Sequence, residues 1–384
     1  MKHIVENNQT LDDVFNKALL GPILFKNKSL LFPQYTPENI LFRNEQIIRL
    51  GYLCSSLLKG QKSSNLFIYG KPGTGKTAVT KLVLSKLKEK GKEVNSDLYI
   101  SNINCRSAGT EYRVTAALAR DIDIDIPFTG LASKEVFTRF EKKLLKDKIP
   151  FLIVLDEIDA LISRYGDDLL YGLTRINEKD PEIQLMIIGI SNDVRFKEYM
   201  DPRVLSSLGE EEMIFKPYTP KELENILYDR IKSAFIPNSI SSATVSLCAA
   251  ISGSEHGDAR KALDLLRVAG ETAEREGRTQ VSTQDIKNSQ GLIDQNRIVE
   301  IIRSLPAHSK MVLTSILKHP PTTSRLKTMH IYALYTQYAD EYLGWHLTAR
   351  RFSSLVHELS VLGLIDRKIE NFGRKGGPVT TILL

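Results

Sequence analysis

Asn65-Leu66-Phe67-Ile68-Tyr69-Gly70-Lys71-Pro72-Gly73-Thr74-Gly75-Lys76-Thr77 is the stretch on which the reading of this sequence turns. The apolar run Leu66 to Tyr69 predicts a buried strand. A loop follows from Gly70 to Gly75, and Lys76-Thr77 opens a segment whose apolar residues Val79, Leu82, Val83 and Leu87 recur at helical spacing, with Gly91 expected to cap it. Strand, glycine loop, Lys-Thr and helix, in that order, make the phosphate-binding P-loop in the context it requires. Its glycines let backbone N–H groups close on phosphate oxygens, and the helix N-terminus adds partial positive charge there. Lys76 would reach the β- and γ-phosphates, and Thr77 would hold Mg²⁺ through its hydroxyl.

Downstream, Phe151-Leu152-Ile153-Val154-Leu155-Asp156-Glu157-Ile158-Asp159 reads as a strand covered on both faces. Two acids at its C-terminal end fall where a parallel sheet places its ligands. Asp156 suits holding magnesium, and Glu157 suits the base that orients an attacking water. A further strand, Gln184 to Asn192, ends in Asn192, placed to hydrogen-bond the γ-phosphate or that water. Leu98 to Cys105 alternates like a strand, and Glu212 to Pro217 is a fifth candidate. Helices are expected at about 43–58, 110–121 and 134–146. Asp121 to Ala132 interrupts the last two with a proline and a glycine. Strands separated by helices predict a parallel α/β sheet. Ahead of it, Phe32 to Glu45 is an extended arm with two prolines, at the place in sequence order where such arms pass over the adenine. Residues 1–20 are polar, with room for a short helix.

From Thr219 the pattern turns wholly helical. Thr219-Pro220-Lys221-Glu222 has an N-cap, proline at N1 and glutamate at N3. Gly257-Asp258-Ala259-Arg260 opens another helix, and Arg260 in its first turn opposes the helix dipole unless it faces an anion. Ser282-Thr283-Gln284-Asp285 starts the last helix of this set, and a C-terminal domain is expected from about Gly291.

The bulk numbers agree with a multidomain globular chain. Its 384 residues exceed one ordinary core, and 42% hydrophobic with 26% charged residues is soluble-protein composition. No run is long and apolar enough to span a bilayer, and Met1 to Glu6 lacks a signal-peptide apolar core. Cys54, Cys105 and Cys248 lie far apart, which fits a reducing cytosol and gives no zinc site. Residues 291–384 hold 12 Lys+Arg against 7 Asp+Glu, whereas the other 290 hold 40 against 39, so nearly all of the net +6 lies in the last quarter. That asymmetry points to an anionic partner.

The last quarter carries helical patterns over 296–319, Tyr332 to Leu343 and Leu347 to Leu359. In the third, Phe352, Leu355, Val356 and Leu359 share one face. Arg350, Ser354 and His357 fall opposite it, flanked by Arg351 and Ser353. Such an outer face suits a helix reading a DNA major groove. Two β-like runs follow, Leu364 to Ile369 and Pro378 to Ile382. Between them lies a glycine-rich tip in which Gly373, Gly376 and Gly377 keep the profile slim and Arg374 and Lys375 would meet phosphates or a minor groove. Three helices and such a hairpin form the winged-helix pattern.

Taken together, the chain resembles archaeal replication initiators of the origin-recognition-complex and cell-division-control type, within the AAA+ ATPases. The resemblance rests on the arm Tyr35-Thr36-Pro37 to Arg43-Asn44-Glu45, the P-loop, and Ile103-Asn104-Cys105-Arg106. It also rests on Pro127-Phe128-Thr129-Gly130-Leu131, Asp156-Glu157-Ile158-Asp159, Ser191-Asn192, Asp201 to Ser207, Gly257 to Arg260 and the winged helix. It implies an α/β nucleotide-binding base over 1–218, an all-α lid over 219–290 and a winged helix over 291–384. Lys76 and Thr77 would be Walker A, Asp156 and Glu157 Walker B, Asn192 sensor 1 and Arg260 sensor 2. The nucleotide set would comprise Gly70, Lys71, Pro72, Gly73, Thr74, Gly75, Lys76, Thr77, Ala78, Tyr218 and Arg260, for ATP or ADP with Mg²⁺. The insertion near 121–135 would add a DNA contact through backbone amides, a helix N-terminus or an apolar wedge, since Lys134 is its one lysine. Partners implied are origin duplex DNA, initiator paralogues and the replicative helicase, in the cytoplasm at the nucleoid and without a membrane.

One departure bears on turnover. Relatives carry an arginine finger in a Ser-Arg-Leu context, where this chain has Ser206-Ser207-Leu208. Arg203 is the nearest arginine and precedes that position. Weak ATPase activity is therefore expected. Two other readings stay open: a helicase loader acting mainly on protein, and a nucleotide-gated DNA-binding regulator that hardly turns over.

Overall fold

In a computed structural model of the chain, residues 23–127, 130–180, 182–193, 195–208, 211–254, 256–318, 326–371 and 378–383 are described. The possible helix in 1–20, Phe128-Thr129 and the hairpin tip with Gly373, Arg374, Lys375, Gly376 and Gly377 lie outside the described residues. The chain divides into two compact units after Lys287.

The described part of the first unit opens with a 3₁₀ turn at Lys28–Leu31, just ahead of the arm. It continues through α1 (Asn44–Leu58), β1 (Leu66–Tyr69), α2 (Lys76–Glu93), β2 (Tyr99–Asn104), α3 (Cys105–Ala108), α4 (Glu111–Arg120), α5 (Ser133–Asp147), β3 (Phe151–Asp156), α6 (Ile158–Tyr165), α7 (Asp168–Lys179), β4 (Leu185–Ser191), α8 (Pro202–Leu208) and β5 (Glu211–Ile214). The five strands form one parallel sheet in the order β2-β3-β4-β1-β5. Alternation along each strand sorts its side chains between two cores. Phe67, Tyr69, Ile153, Leu155 and Ile187 pack on one face, while Leu66, Ile68, Leu152, Val154 and Ile188 pack on the other. Full burial explains why these runs read as uninterrupted apolar stretches.

The lid comprises α9 (Pro220–Ala234), α10 (Ser242–Ser254), α11 (Ala259–Arg275) and the start of α12 (Thr283–Ser304). The expected capping box is present at α9, where Thr219 Oγ1 accepts from Glu222 N at 3.3 Å and Glu222 Oε2 accepts from Thr219 N at 2.8 Å. Such caps contribute about 1 kcal/mol.

The second unit holds α13 (Ala307–Leu317), β6 (Leu326–Lys327), α14 (Thr328–Leu343), α15 (Ala349–Val361), β7 (Asp366–Asn371) and β8 (Pro378–Leu383). Its antiparallel sheet runs β6-β8-β7. Val312, Ile316, Ile331, Tyr335, Phe352, Leu355 and Leu359 form its core.

Several boundaries differ from expectation. Gly91 does not end α2. It is buried within the helix, and a Cβ there would sit 3.5 Å from Leu58 of α1, so it marks close helix packing. The run at 151–159 stops being a strand at Asp156, because Glu157 takes a left-handed conformation with φ +53° and Ile158 starts α6. The pattern over 296–319 is two helices, since Pro306 cannot continue α12 and instead occupies the N-cap of α13. β6, only two residues long, had no legible signal.

Candidate functional site

Strand register brings the predicted nucleotide residues to one level. Tyr69 pairs with Ser191 and Asp156 with Ile190, so Gly70, Glu157 and Asn192 each begin just beyond the same sheet edge. α2 starts there, and Gly75, in the left-handed region at φ +95°, is its N-cap. Thr74 Oγ1 donates to Lys71 O at 2.8 Å and closes the loop.

Lys76 is buried. Its Nζ donates to Gly70 O at 2.6 Å, Lys71 O at 2.9 Å and Asn192 Oδ1 at 2.8 Å. Thr77 Oγ1 donates to Asp156 Oδ2 at 2.9 Å, and Asp156 Oδ1 accepts from Glu157 N at 3.0 Å. Asn192 N donates to Asp159 Oδ1 at 3.4 Å. Pro72 to Thr77, Asp156, Glu157, Asn192 and Arg260 line a single small recess. Burial first, then the Arg260 charge, push Lys76 down to about 8 against the opposing pull of Asp156, Asp159 and Asp258.

Arg260 reaches the recess because α11 begins against the P-loop. Asp258 caps that helix, its Oδ1 accepting from Arg260 N at 2.8 Å, and Ala259 N donates to Gly73 O at 3.2 Å. A Cβ on Gly73 would overlap Asp258 Oδ1, so only glycine fits there. Lys71, exposed, meets His256 Nδ1 of the lid at 3.1 Å.

Next to the recess is a larger cavity of about 160 Å³, lined by the arm (Tyr35, Pro37, Asn39), by Ala78 and Tyr218, and by the lid's Arg230 and Leu263. The Arg230 guanidinium lies 4.9 Å from the Tyr35 ring. The arm therefore passes over the start of the P-loop helix. Burial raises the Tyr218 hydroxyl above its ordinary range.

Two residues of the site escaped the sequence reading. Arg43, at the end of the arm, is buried behind the P-loop and donates to Thr74 O at 2.9 Å. Arg106 Nε lies 2.7 Å from Glu157 Oε2, in an ion pair off the hydrogen-bond axis. That oxygen is buried without a hydrogen bond. Arg106 lies in the Ile103 to Arg106 segment already singled out, at the end of a strand beside β3. That position was the available signal.

In the second unit, α15 buries Phe352, Leu355, Val356 and Leu359 and exposes Arg350, Arg351, Ser353 and His357, with Ser354 half-buried. Ser353 Oγ donates to Ala349 O at 3.0 Å, Ser354 Oγ to Arg350 O at 3.3 Å, and Arg351 lies 3.4 Å from Glu358. These contacts stay within α15.

Residues 59–195 match the family model described as AAA domain, residues 224–291 the Cdc6 AAA+ ATPase-type lid domain, and residues 300–384 the CDC6 C-terminal winged helix domain. The ORC1-type DNA replication protein 1 of Sulfurisphaera tokodaii is 46% identical over 370 residues, covering 96% of this chain and 92% of that protein. This chain belongs to the ORC1-type DNA replication protein family. The ORC1-type DNA replication protein of Pyrococcus furiosus is 42% identical over 377 residues, covering 97% of this chain and 90% of the relative. Among solved structures, the Aeropyrum pernix ORC1 protein in complex with DNA superposes with a TM-score of 0.87 at 39% identity over 94% of each chain. The α/β base, helical lid and C-terminal winged helix are those of an ORC1-type AAA+ ATPase.

At the place where an arginine finger is expected, this ORC1-type chain has Ser207, within α8. Arg203, on the same helix, is highly exposed and pairs with Asp201, its Nη2 donating at 2.9 Å. Among the described residues, no helix is long and apolar enough to cross a membrane.

Proposed function

We propose that this chain is an origin-binding initiator that holds ATP or ADP between arm, base and lid, hydrolyses ATP slowly, and acts with initiator paralogues to recruit the replicative helicase. The observation that carries the nucleotide half is the convergence of Lys76 and Arg260 on one recess beside the Thr77 hydroxyl and the Asp156 carboxylate. Two cations facing each other across a small space favour an anion between them. The glycine loop and the start of α2 supply the amides and partial charge that suit phosphate. Thr77 and Asp156 set two hard oxygens side by side, which suits Mg²⁺. When bound, the ion would neutralise phosphate charge.

The remaining residues take roles from their positions. Gly70 to Ala78 and Tyr218 would cradle phosphates and base, with Asn192 and Arg260 reading the γ-phosphate. Glu157, at the edge of the recess, would orient the attacking water and take its proton. Turnover is slow in this reading because Arg106 occupies Glu157 and Ser207 stands at the finger position. The same ion pair favours the second reading, a nucleotide-gated regulator with negligible turnover.

For DNA, the support is the Aeropyrum pernix relative in complex with DNA, the excess positive charge in residues 291–384 and, on α15, the exposed Arg350, Arg351, Ser353 and His357 with the half-buried Ser354. Arg374, Lys375 and Gly376 would form the wing contact. α5 follows the insertion, and because its N-cap Ala132 makes no side-chain bond, its first-turn amides would be the ones to meet a phosphate from that side.

The test is anisotropy of a labelled origin duplex with ATP, with ADP and with neither. Affinity should depend on the nucleotide and fall steeply with salt. Replacing Arg374 and Lys375 together by alanine should weaken binding to every sequence. Equal affinity in all three nucleotide states would sink the gating, and an unaffected double variant would sink the wing contact.

A further inference from the structure

Among the described residues the buried arginines and lysines are Lys76 and Arg43, each 5% exposed. Lys76 belongs to the phosphate recess. Arg43 lies on the other side of the same loop. Its Nε donates to Thr74 O at 2.9 Å, its Nη2 to Lys216 O at 2.6 Å and its Nη1 to Phe42 O at 3.1 Å. The guanidinium carbon stands 3.9 Å from the Tyr218 ring centroid and 5.5 Å from that of Phe215. Among the described residues its partners are thus carbonyls and the side chains of Tyr218 and Phe215, with no carboxylate. A buried cation without a counter-anion is costly, and three fixed hydrogen bonds with a ring face are an arrangement that makes it tolerable.

The bond to Thr74 O has a geometric consequence. The Thr74–Gly75 peptide is trans, so its C=O and N–H point in opposite directions. With the carbonyl directed at Arg43, the Gly75 N–H is directed away from it, and Gly75 lines the recess with Lys76, Asn192 and Arg260. Gly75 sits at φ +95°, where glycine has wide freedom, so this peptide is one that could flip and aim its carbonyl at a phosphate. The Tyr218 hydroxyl, 2.9 Å from where a Gly75 Cβ would stand, closes the rear of the same residue. The guanidinium also polarises the peptide and strengthens the Gly75 N–H as a donor.

We infer that Arg43 is a positioning residue of the nucleotide site: by holding the Thr74 carbonyl it keeps the Gly75 N–H aimed at the phosphates and prevents the peptide from flipping. The inference rests on reading the recess as a nucleotide site. Through Lys216 O and Tyr218, the same side chain ties the P-loop to the segment that leads into lid helix α9.

The test uses the full chain with Arg43→Ala and Arg43→Lys, titrated with ATP, ADP and adenosine. Arg43→Ala should bind ATP and ADP at least tenfold more weakly while adenosine affinity changes little, so the ratio of ATP to adenosine affinity falls. Arg43→Lys should lie between, because a compact ammonium on a shorter reach cannot make three divergent bonds. A purely structural loosening of the pocket would weaken all three ligands alike and leave the ratio unchanged, which would overturn the inference. So would wild-type ATP affinity in either variant. If Arg43→Ala does not fold, the lysine variant and the ratio decide alone. A wild-type chain that binds no ATP would overturn the nucleotide reading and this inference with it.

Discussion

The recess at the end of β1 and the outward face of α15 were both read from local sequence pattern, yet they are built differently. In the recess, functional groups come from segments far apart in the chain and are held by bonds between those segments: Lys76 to Asn192, Thr77 to Asp156, Arg43 to Thr74. On α15, the candidate groups are mostly exposed, and the polar contacts of Ser353, Ser354 and Arg351 stay within their own helix. A site that must stabilise charge during a reaction gains from fixed dipoles. A surface that reads a duplex needs side chains that can reorganise against it. Substitutions in the first region should therefore have large, specific effects, and those in the second smaller ones that depend on salt and sequence.

The largest effect is expected on turnover. Glu157→Gln keeps the shape of the side chain but removes the base, so hydrolysis should fall by about two to four orders of magnitude while ATP affinity stays within a few-fold, as separate rate and binding measurements would resolve. Lys76→Ala comes next. It removes a buried cation facing the recess, and nucleotide affinity should fall by about 100-fold. An affinity loss as small as that expected on α15 would end the contrast between the two regions.

What the sequence disclosed follows the same divide. Walker motifs, caps and the amphipathic face of α15 are patterns within a dozen residues, and short-range spacing is legible. Arg43 belongs to the arm, but an arginine ahead of Asn44-Glu45 gives no sign of burial. Its acceptors are Thr74 and Lys216, 31 and 173 residues away, and only tertiary packing unites them. The sheet order that inserts β4 between β3 and β1 was equally out of reach. Gly91 looked like a helix end because glycine commonly is one. Contact with Leu58 gives it a different purpose. Continuation of α12 through Gly291 has a similar cause, since a single glycine in a long helix is tolerated.

Two ion pairs carry the contrast into stability. Near the end of the lid, Asp285 is buried and accepts two bonds of 2.7 Å from Arg278. The Arg278 bonds hold its carboxyl at about 2, well below the ordinary range. A carboxylate with a lowered folded value stabilises above its unfolded value, so this contribution is complete above pH ~4 and disappears as pH falls toward ~2. Arg278→Ala should cost about 2 kcal/mol at neutral pH, discounted from a fully buried pair because Arg278 is partly exposed. It should also flatten the acid limb of an unfolding curve. The exposed Arg351–Glu358 pair should behave otherwise, with Glu358→Ala changing stability by less than about 0.5 kcal/mol. Comparable losses at both pairs would contradict the distinction.

On DNA, Arg350→Ala should reduce discrimination between origin and random duplex by about tenfold, the scale of one lost base contact. Arg351→Ala should do less, because Glu358 already competes for that guanidinium.

The smallest effects are expected at Ser353 and Ser354. Each hydroxyl already donates its proton to a carbonyl one turn earlier in α15, at 3.0 Å and 3.3 Å. Its remaining capacity toward a duplex is as an acceptor, unless that internal bond breaks. A base donor such as the cytosine amino group can use that capacity, but a phosphate, which only accepts, cannot. Ser353→Ala and Ser354→Ala should therefore lower affinity by less than about threefold, with little change in salt slope. Any loss should be confined to sequences offering a donor at the facing step. A uniform loss across sequences would mean that the hydroxyls turn outward to phosphates, and α15 would then be reorganised on binding more deeply than its internal bonds imply.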